Sequence, residues 1–132
     1  MNHLVDTHYL IWSLLDPGKI ERGKKKILLD PAVIKHVSKI SYWEIALKYS
    51  LGKLELRGTV PEKLLAASVE AGYEVLDISA EDLATSYKLP HIRDHRDPFD
   101  RLLIWQCIRN DLVFITADHR IREYEKYGLK LV

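Results

Sequence analysis

The chain has 132 residues, of which 47% are hydrophobic and 30% charged, a composition that suits a single globular domain spanning residues 1–132. Its formal net charge of +1 excludes a protein that coats nucleic acid through a general positive field, so nucleic-acid binding would need local basic patches. A single cysteine, Cys107, excludes an internal disulfide, and no apolar stretch reaches the roughly 20 residues of a membrane helix, so we expect a cytoplasmic protein without a membrane anchor.

Short apolar runs alternate with helical patterns along the chain. The runs predict strands over residues 3–6, 33–40, 73–78, 112–116 and 129–132. The patterns between them predict helices over 7–15, 20–29, 41–51, 61–71, 80–88, 98–109 and 118–127, with a polar loop at 91–96. Strands separated by helices indicate an α/β fold, in which a mostly parallel sheet is covered on both faces.

Acidic residues stand where these predicted strands end or where the neighbouring helices begin. Asp6 ends the first strand, Glu44 lies in the helix after the second, and Asp118 follows the fourth. Asp97 and Asp100 open the long helix before that strand. Because ligands bind outside the carboxyl ends of strands in such sheets, we expect these acids to gather at one edge.

Each acid also has a purely structural interpretation as part of a helix cap. Ser41 and Glu44 have the spacing of a capping box, and Asp97 precedes a proline at the first helical position. Asp6 and Asp118 likewise stand where helices begin. Several carboxylates at one edge would repel each other, however, unless a cation neutralised them. Oxygen ligands suit Mg²⁺, with Mn²⁺ as the alternative, and no zinc-type histidine and cysteine spacing is present.

Four sequence blocks resemble the PIN-domain family, and in particular its VapC-type toxin ribonucleases. They are residues 4–8 (LVDTH), 41–46 (SYWEIA), 95–103 (HRDPFDRLL) and 116–118 (TAD). The blocks occur in the order found in the family and span nearly the whole chain. The third block is the most specific of them.

This resemblance implies a three-layer α/β/α fold and a Mg²⁺-dependent endoribonuclease that leaves a 5′-phosphate and a 3′-hydroxyl. It also implies a protein antitoxin as partner, and a homodimer. Matched by position, the catalytic and metal-binding quartet is Asp6, Glu44, Asp100 and Asp118, with Asp6 and Asp100 as the main ligands of the ion. Asp97 belongs to the VapC-type segment, and it could be a further metal ligand or only a helix cap.

Neighbouring residues suggest supporting roles with structural alternatives. The hydroxyls of Thr7, Ser41 and Thr116 could orient the acids or serve as ordinary caps. Several aromatic residues could line a groove for an antitoxin helix or belong to the core, and several basic residues could contact phosphate or form a solvated face. The aromatic residues are Trp12, Tyr42 and Trp43, and the basic ones are Arg93, His95, Arg96, Arg101, His119 and Arg120.

Two other classes of protein compete with a ribonuclease. A phosphatase of the haloacid-dehalogenase type needs a second aspartate two residues after the first, where this chain has His8. A non-catalytic RNA-binding or scaffold protein with the same fold would be favoured by the loss of one acid. The intact quartet disfavours that alternative.

Overall fold

Five short strands form one parallel sheet within residues 2–92 and 95–132, which are the residues described by this computed structural model. They are β1 (His3–Val5), β2 (Lys35–Ser38), β3 (Glu74–Leu76), β4 (Val113–Ile115) and β5 (Lys130–Leu131). The order across the sheet is β3-β2-β1-β4-β5, and each neighbouring pair runs parallel. The predicted parallel sheet is therefore confirmed, although the strands are shorter than the apolar runs suggested.

Six α-helices connect these strands in the described part of the chain. They are α1 (Thr7–Leu15), α2 (Arg22–Leu29), α3 (Lys39–Ser50), α4 (Pro61–Glu70), α5 (Ala80–Thr85) and α6 (Pro98–Asn110). Shorter 3₁₀ segments cover Pro17–Lys19 and Ser86–Lys88. Among the helices of the described residues, none has both the length and the apolar character needed to cross a membrane.

The segment His119–Tyr127 is a 3₁₀ helix, whereas an α-helix was predicted over residues 118–127. Its two buried side chains, Ile121 and Tyr124, are three residues apart. This spacing matches the three residues per turn of a 3₁₀ helix and places both side chains over the core. The charged residues between the two gave no sign of this tighter winding in the sequence.

Helix α3 begins earlier than predicted. Ser38 is its N-cap, and its side chain accepts a hydrogen bond from the backbone N–H of Ile40 at 3.2 Å. The predicted capping box of Ser41 and Glu44 is therefore wrong, and Glu44 lies in the second turn of the helix. The β-branched Ile40 extended the strand pattern, but it is buried in the core from the first turn of α3.

Two apolar clusters cover the opposite faces of the sheet and make the three layers. Alternate residues of a strand point to opposite faces, so Leu4 and Val5 belong to different clusters. Leu4 and Phe114 pack with α6, whose buried residues there are Leu103, Ile104 and Cys107. On the other face, the cluster contains Val5, Val37 and Ile115 with Leu10 of α1 and Leu64 of α4. The three-layer α/β/α arrangement is thus confirmed.

The strand order determines where a site can form. From β1 the chain proceeds to β2 and β3 on one side, whereas β4 and β5 lie on the other side of β1. This reversal of direction opens a crevice beyond the carboxyl ends of β1 and β4. Asp6 directly follows β1, and Thr116 directly follows β4, so both residues stand at that crevice.

Candidate active site

Asp6 connects the ends of the two central strands. The backbone N–H of Tyr9 donates to Asp6 Oδ1 at 2.8 Å, which makes Asp6 the N-cap of α1. The hydroxyl of Thr116 donates to Asp6 Oδ2 at 2.6 Å from the end of β4. Burial raises the pKa of Asp6, and these two hydrogen bonds oppose that rise. The carboxylate is therefore a helix cap and is also held in a fixed orientation at the crevice.

Glu44 is only 2% exposed, and both of its carboxylate oxygens have partners. Thr7 Oγ1 donates to Glu44 Oε1 at 2.7 Å, and Ser41 Oγ lies 2.9 Å from the same hydroxyl. Lys48, one turn further along α3, forms an ion pair with Glu44 Oε2. The negative charge of Glu44 raises the pKa of both Asp6 and Asp100, which places it within electrostatic reach of the other acids.

Asp97 and Asp100 lie at the start of α6. Asp97 Oδ1 accepts hydrogen bonds from the backbone N–H groups of Phe99 at 2.8 Å and Asp100 at 3.3 Å, so Asp97 is the N-cap. The pKa of Asp100 is raised to about 7, first by burial and then by the charges of the other four acids. Ionisation of Asp100 is therefore opposed by the charges of all four of the other acids.

Asp118 is the N-cap of the 3₁₀ segment His119–Tyr127. The guanidinium of Arg120 reaches both of its carboxylate oxygens, with Nε 3.0 Å from Oδ1 and Nη2 2.9 Å from Oδ2. Hydrogen bonds from Arg120 lower the pKa of Asp118 more than burial raises it. This acid is thus kept ionised by a residue for which the sequence suggested either a phosphate contact or a place on a solvated face.

Four of the five predicted acids line one cleft of about 440 Å³. They are Asp6, Asp97, Asp100 and Asp118, together with His8, Trp12, Thr116, Ala117 and Arg120. Glu44 is buried beside this cleft and is not among the described residues that line it. The fold therefore brings acids from three distant parts of the chain to one cleft. Glu44, from a fourth part of the chain, is buried.

A histidine joins the acids more closely than the sequence indicated. Within residues 2–92 and 95–132, the tightest group of possible metal ligands is His95, Asp100 and Asp118, with ligand atoms within 4.8 Å of one another. His95 is only 4% exposed, and burial lowers the pKa of its imidazole although the charge of Asp118 opposes this. The sequence had placed His95 among surface basic residues. Its position in the same nine-residue block as Asp97 and Asp100 was the available signal.

The other predicted basic residues separate into different environments. Arg101 is part of the structure, because its guanidinium donates to Leu89 O at 2.7 Å, Pro90 O at 3.1 Å and the Tyr124 hydroxyl at 3.2 Å. Arg96 and His119 are exposed, and Arg93 lies outside the described residues. Two lysines near the acids were missed: Lys48, which pairs with Glu44, and Lys24, which donates to the carbonyl oxygen of Thr116 at 2.6 Å.

The three predicted groove aromatics also differ. Trp12 lines the acidic cleft and packs against the rings of His8 and Tyr9. The Tyr42 hydroxyl forms a 2.7 Å hydrogen bond with Ser68 of α4, which makes it part of the helix packing. Trp43 is 58% exposed and contacts Phe99 edge-on.

Without a metal ion, the free energy of unfolding should fall as the pH rises from about 4 to 7. Asp100 has a folded pKa of about 7 against an ordinary value of 3.8, so the folded protein binds this proton more tightly than the unfolded chain. The stability present at low pH is then lost as the carboxyl ionises, on the order of 4 kcal/mol for one group with this shift.

Urea unfolding in EDTA at pH 5 and pH 8 tests this prediction. The lowered pKa of His95 has the opposite effect, because stability from that group is lost as the pH falls. The wild-type protein should therefore be compared with Asp100→Asn, in which the carboxyl contribution is absent. Identical pH dependence in the two proteins would contradict the raised pKa.

The residues around the cleft fit a divalent cation. They offer several carboxylate oxygens, which are the hard ligands that such cations prefer. The charges of the neighbouring acids oppose ionisation of Asp100, so a positive ion between them would be stabilising. The buried Nε2 of His95 faces the same acids and has no hydrogen-bond partner in the part of the chain that the structure describes. A cation would relieve both features.

The fold and this cleft define a parallel α/β domain with a cluster of carboxylates at one edge of its sheet. The sequence model of the PIN domain matches residues 3–127, so the chain belongs to the PIN-domain family. Membership of this family supports a nuclease in general, and the resemblance seen in the four sequence blocks is confirmed. No curated protein matches the chain.

Two solved structures share the fold over the whole chain. One is VapBC2 from Rickettsia felis bound to a DNA fragment from its promoter, with 15% identity and a TM-score of 0.68 over 100% of this chain and 98% of that one. The other is DNA-bound VapBC from Salmonella typhimurium, with 20% identity and a TM-score of 0.63 over 100% and 97%. At these identities the likeness extends to the fold alone.

Proposed function

We propose that this chain, as a single PIN domain over residues 1–132, is a metal-dependent endoribonuclease and the toxin of a toxin–antitoxin pair. The observation that carries the proposal is the convergence of Asp6, Asp97, Asp100 and Asp118 on one cleft with Glu44 buried beside it. The cytoplasm, where RNA is available, is the compartment that this function requires.

The residues proposed to hold the ion, Mg²⁺ or Mn²⁺, are Asp6, Asp100 and Asp118. Glu44 would act through water, because it is buried and is not among the described residues that line the cleft. Asp97 remains a candidate ligand through the oxygen that does not cap α6. When bound, the ion supplies positive charge that offsets the charge of the scissile phosphate and makes water more acidic.

The chain's own groups would position the reactants and move the proton. Thr116 and the N–H of Tyr9 hold the Asp6 carboxylate in one orientation, so it needs little rearrangement during the reaction. A carboxylate at the cleft would accept the proton of the attacking water. Arg120 and His8 line the same cleft and could contact phosphate oxygens of the RNA.

A larger groove of about 790 Å³ supports RNA as the substrate. Its wall contains Pro98, which follows the capping Asp97, together with the exposed Tyr87, His91 and Arg96. An exposed aromatic ring can stack on a base, and an exposed arginine can contact a backbone phosphate. The groove would thus guide a single strand toward the acids.

An antitoxin partner and a homodimer belong to the same proposal. Several large apolar side chains are exposed on neighbouring helices: Trp43, Leu47 and Leu51 at α3, and Leu65 and Val69 on α4. Exposed apolar groups that lie close together are typical of protein-binding surfaces. Both of the solved structures described above are VapBC complexes, which supports the choice of an antitoxin as partner.

RNA cleavage assays test the proposed function. Single-stranded RNA should be cleaved with Mg²⁺ or Mn²⁺, and EDTA should stop the reaction. Asp6→Asn should reduce the rate by at least about a hundredfold, because a charged ligand held at the cleft is lost. Asp77→Asn, at an exposed acid after β3, is the matched control and should cleave normally.

Two outcomes would contradict the nuclease proposal. Cleavage that persists in both EDTA and Asp6→Asn would exclude a carboxylate-held ion. RNA binding without cleavage, at any divalent ion tested, would favour the non-catalytic RNA-binding or scaffold protein instead.

A further inference from the structure

His95 is buried but incompletely satisfied. Its Nδ1 lies 3.2 Å from the Tyr124 hydroxyl, and its ring packs edge-on against the Tyr124 ring. Its Nε2 has no hydrogen-bond partner among the described residues and lies 3.6 Å from Asp100 Oδ2 and 3.9 Å from Asp118 Oδ2. A buried polar atom that lacks a partner is costly, so this arrangement requires an explanation.

A direct hydrogen bond from Nε2 of His95 to the acids does not explain this arrangement. Donor–acceptor distances for an N–H···O bond are about 2.7–3.2 Å, and both separations of Nε2 from the carboxylate oxygens are longer. If the neutral imidazole carries its proton on Nδ1, Nε2 turns a lone pair toward the two acids. No group in the described part of the chain donates a hydrogen bond to Nε2.

The same separations suit a shared metal ion. Two ligands of one ion can be no further apart than twice the metal–ligand distance, or about 4.2 Å for distances near 2.1 Å. Both nitrogen–oxygen separations fall within that limit. The ligand atoms of His95, Asp100 and Asp118 all lie within 4.8 Å of one another, so small side-chain rotations suffice to close the set around an ion.

The surroundings of His95 resemble the support that metal-binding histidines usually have. Such histidines commonly donate their second ring N–H to an oxygen, which fixes the tautomer and the ring orientation. Tyr124 offers that oxygen here, and Arg101 in turn donates to the same hydroxyl at 3.2 Å. The imidazole is therefore positioned from behind, with Nε2 directed at the acids.

We propose that His95 is a direct ligand, through Nε2, of the divalent ion held by Asp100 and Asp118. The site is then a mixed nitrogen–oxygen centre, which favours Mn²⁺ or another transition ion over Mg²⁺. This inference rests on the proposed function, since it concerns the same ion.

Electron–nuclear double resonance of bound Mn²⁺ tests the ligand directly, without relying on activity. The wild-type protein should show a nitrogen coupling that changes when the histidines carry ¹⁵N. The coupling should be lost in His95→Gln and retained in His8→Gln, because His8 lines the same cleft but lies outside the ligand group. By calorimetry, His95→Gln should weaken Mn²⁺ binding about tenfold or more, with a smaller effect on Mg²⁺.

The outcomes separate the two proposals. Mn²⁺ that binds with no nitrogen coupling in the wild-type protein would overturn the role of His95, while EDTA-sensitive cleavage would still support the nuclease. Absence of Mn²⁺ binding to the wild-type protein would likewise overturn the role of His95, and absence of Mg²⁺ binding as well would overturn both proposals. The ¹⁵N comparison uses the unaltered chain, so the test stands even if His95→Gln fails to fold.

Discussion

Asp100→Asn should have opposite effects on activity and stability: RNA cleavage should fall by at least about a hundredfold, while the metal-free protein should become more stable at pH 8. The pKa of Asp100 is raised to about 7 by burial and by four neighbouring acids. At pH 8 the carboxyl is ionised, and its charge lowers the stability of the folded protein. An amide of similar shape carries no charge and removes this repulsion. The same substitution removes an ionic ligand from the proposed metal site.

Urea unfolding in EDTA and RNA cleavage with Mn²⁺ should be measured on the same preparations. Asp77→Asn again serves as the control, and it should change neither quantity appreciably, because Asp77 is exposed and lies at the end of β3. A loss of stability in Asp100→Asn would mean that the carboxylate supports the start of α6 and is not held there against repulsion. Unchanged cleavage would remove Asp100 from the active site.

Arg101→Lys should lower the free energy of unfolding by about 2–4 kcal/mol. The guanidinium of Arg101 donates to the carbonyl oxygens of Leu89 and Pro90 and to the Tyr124 hydroxyl. A lysine ammonium keeps the charge but lacks the planar fork that reaches all three acceptors. The Tyr124 hydroxyl keeps His95 as a partner, so the two carbonyl oxygens are left without this donor. Each costs roughly 1–3 kcal/mol, and we expect a total near the lower end of their sum because these hydrogen bonds are only partly buried.

The control for Arg101→Lys is Arg96→Lys, which lies in the same sequence block but is exposed. Chemical unfolding of both variants should show a loss of stability in the first and almost none in the second. If Arg101 served only to contact phosphate, the result would be different: stability would be unchanged, and the KM for RNA would rise.

The order of elements and the position of the acids could be predicted because they depend on local pattern. Buried strands appear as short apolar runs, and helices of this fold begin at recognisable caps such as Asp97 before Pro98. The carboxyl edge of a parallel sheet then follows from topology alone. For that reason the sequence was enough to predict that Asp6 and Asp118, which are far apart in the chain, lie in one cleft.

Other features depend on contacts between distant residues and could not be predicted from the sequence. The start of α3 was misplaced because Ile40 continues a β-branched run in the sequence. In the structure Ile40 lies in the first turn of α3 and packs in the core. Arg101 and His95 appeared to be surface cations, yet both are fixed by Tyr124, more than 20 positions away. Lys48 lies one turn after Glu44, but the sequence does not show whether the pair is buried.

The central claim is that acids from distant parts of the chain hold one divalent ion at the ends of β1 and β4. Anomalous diffraction from crystals grown with Mn²⁺ tests it most directly. We expect a manganese peak in the cleft, about 2.2 Å from carboxylate oxygens of Asp100 and Asp118 and close to Asp6. A crystal saturated with Mn²⁺ that shows no peak there, or only peaks at acids elsewhere on the surface, would contradict the claim.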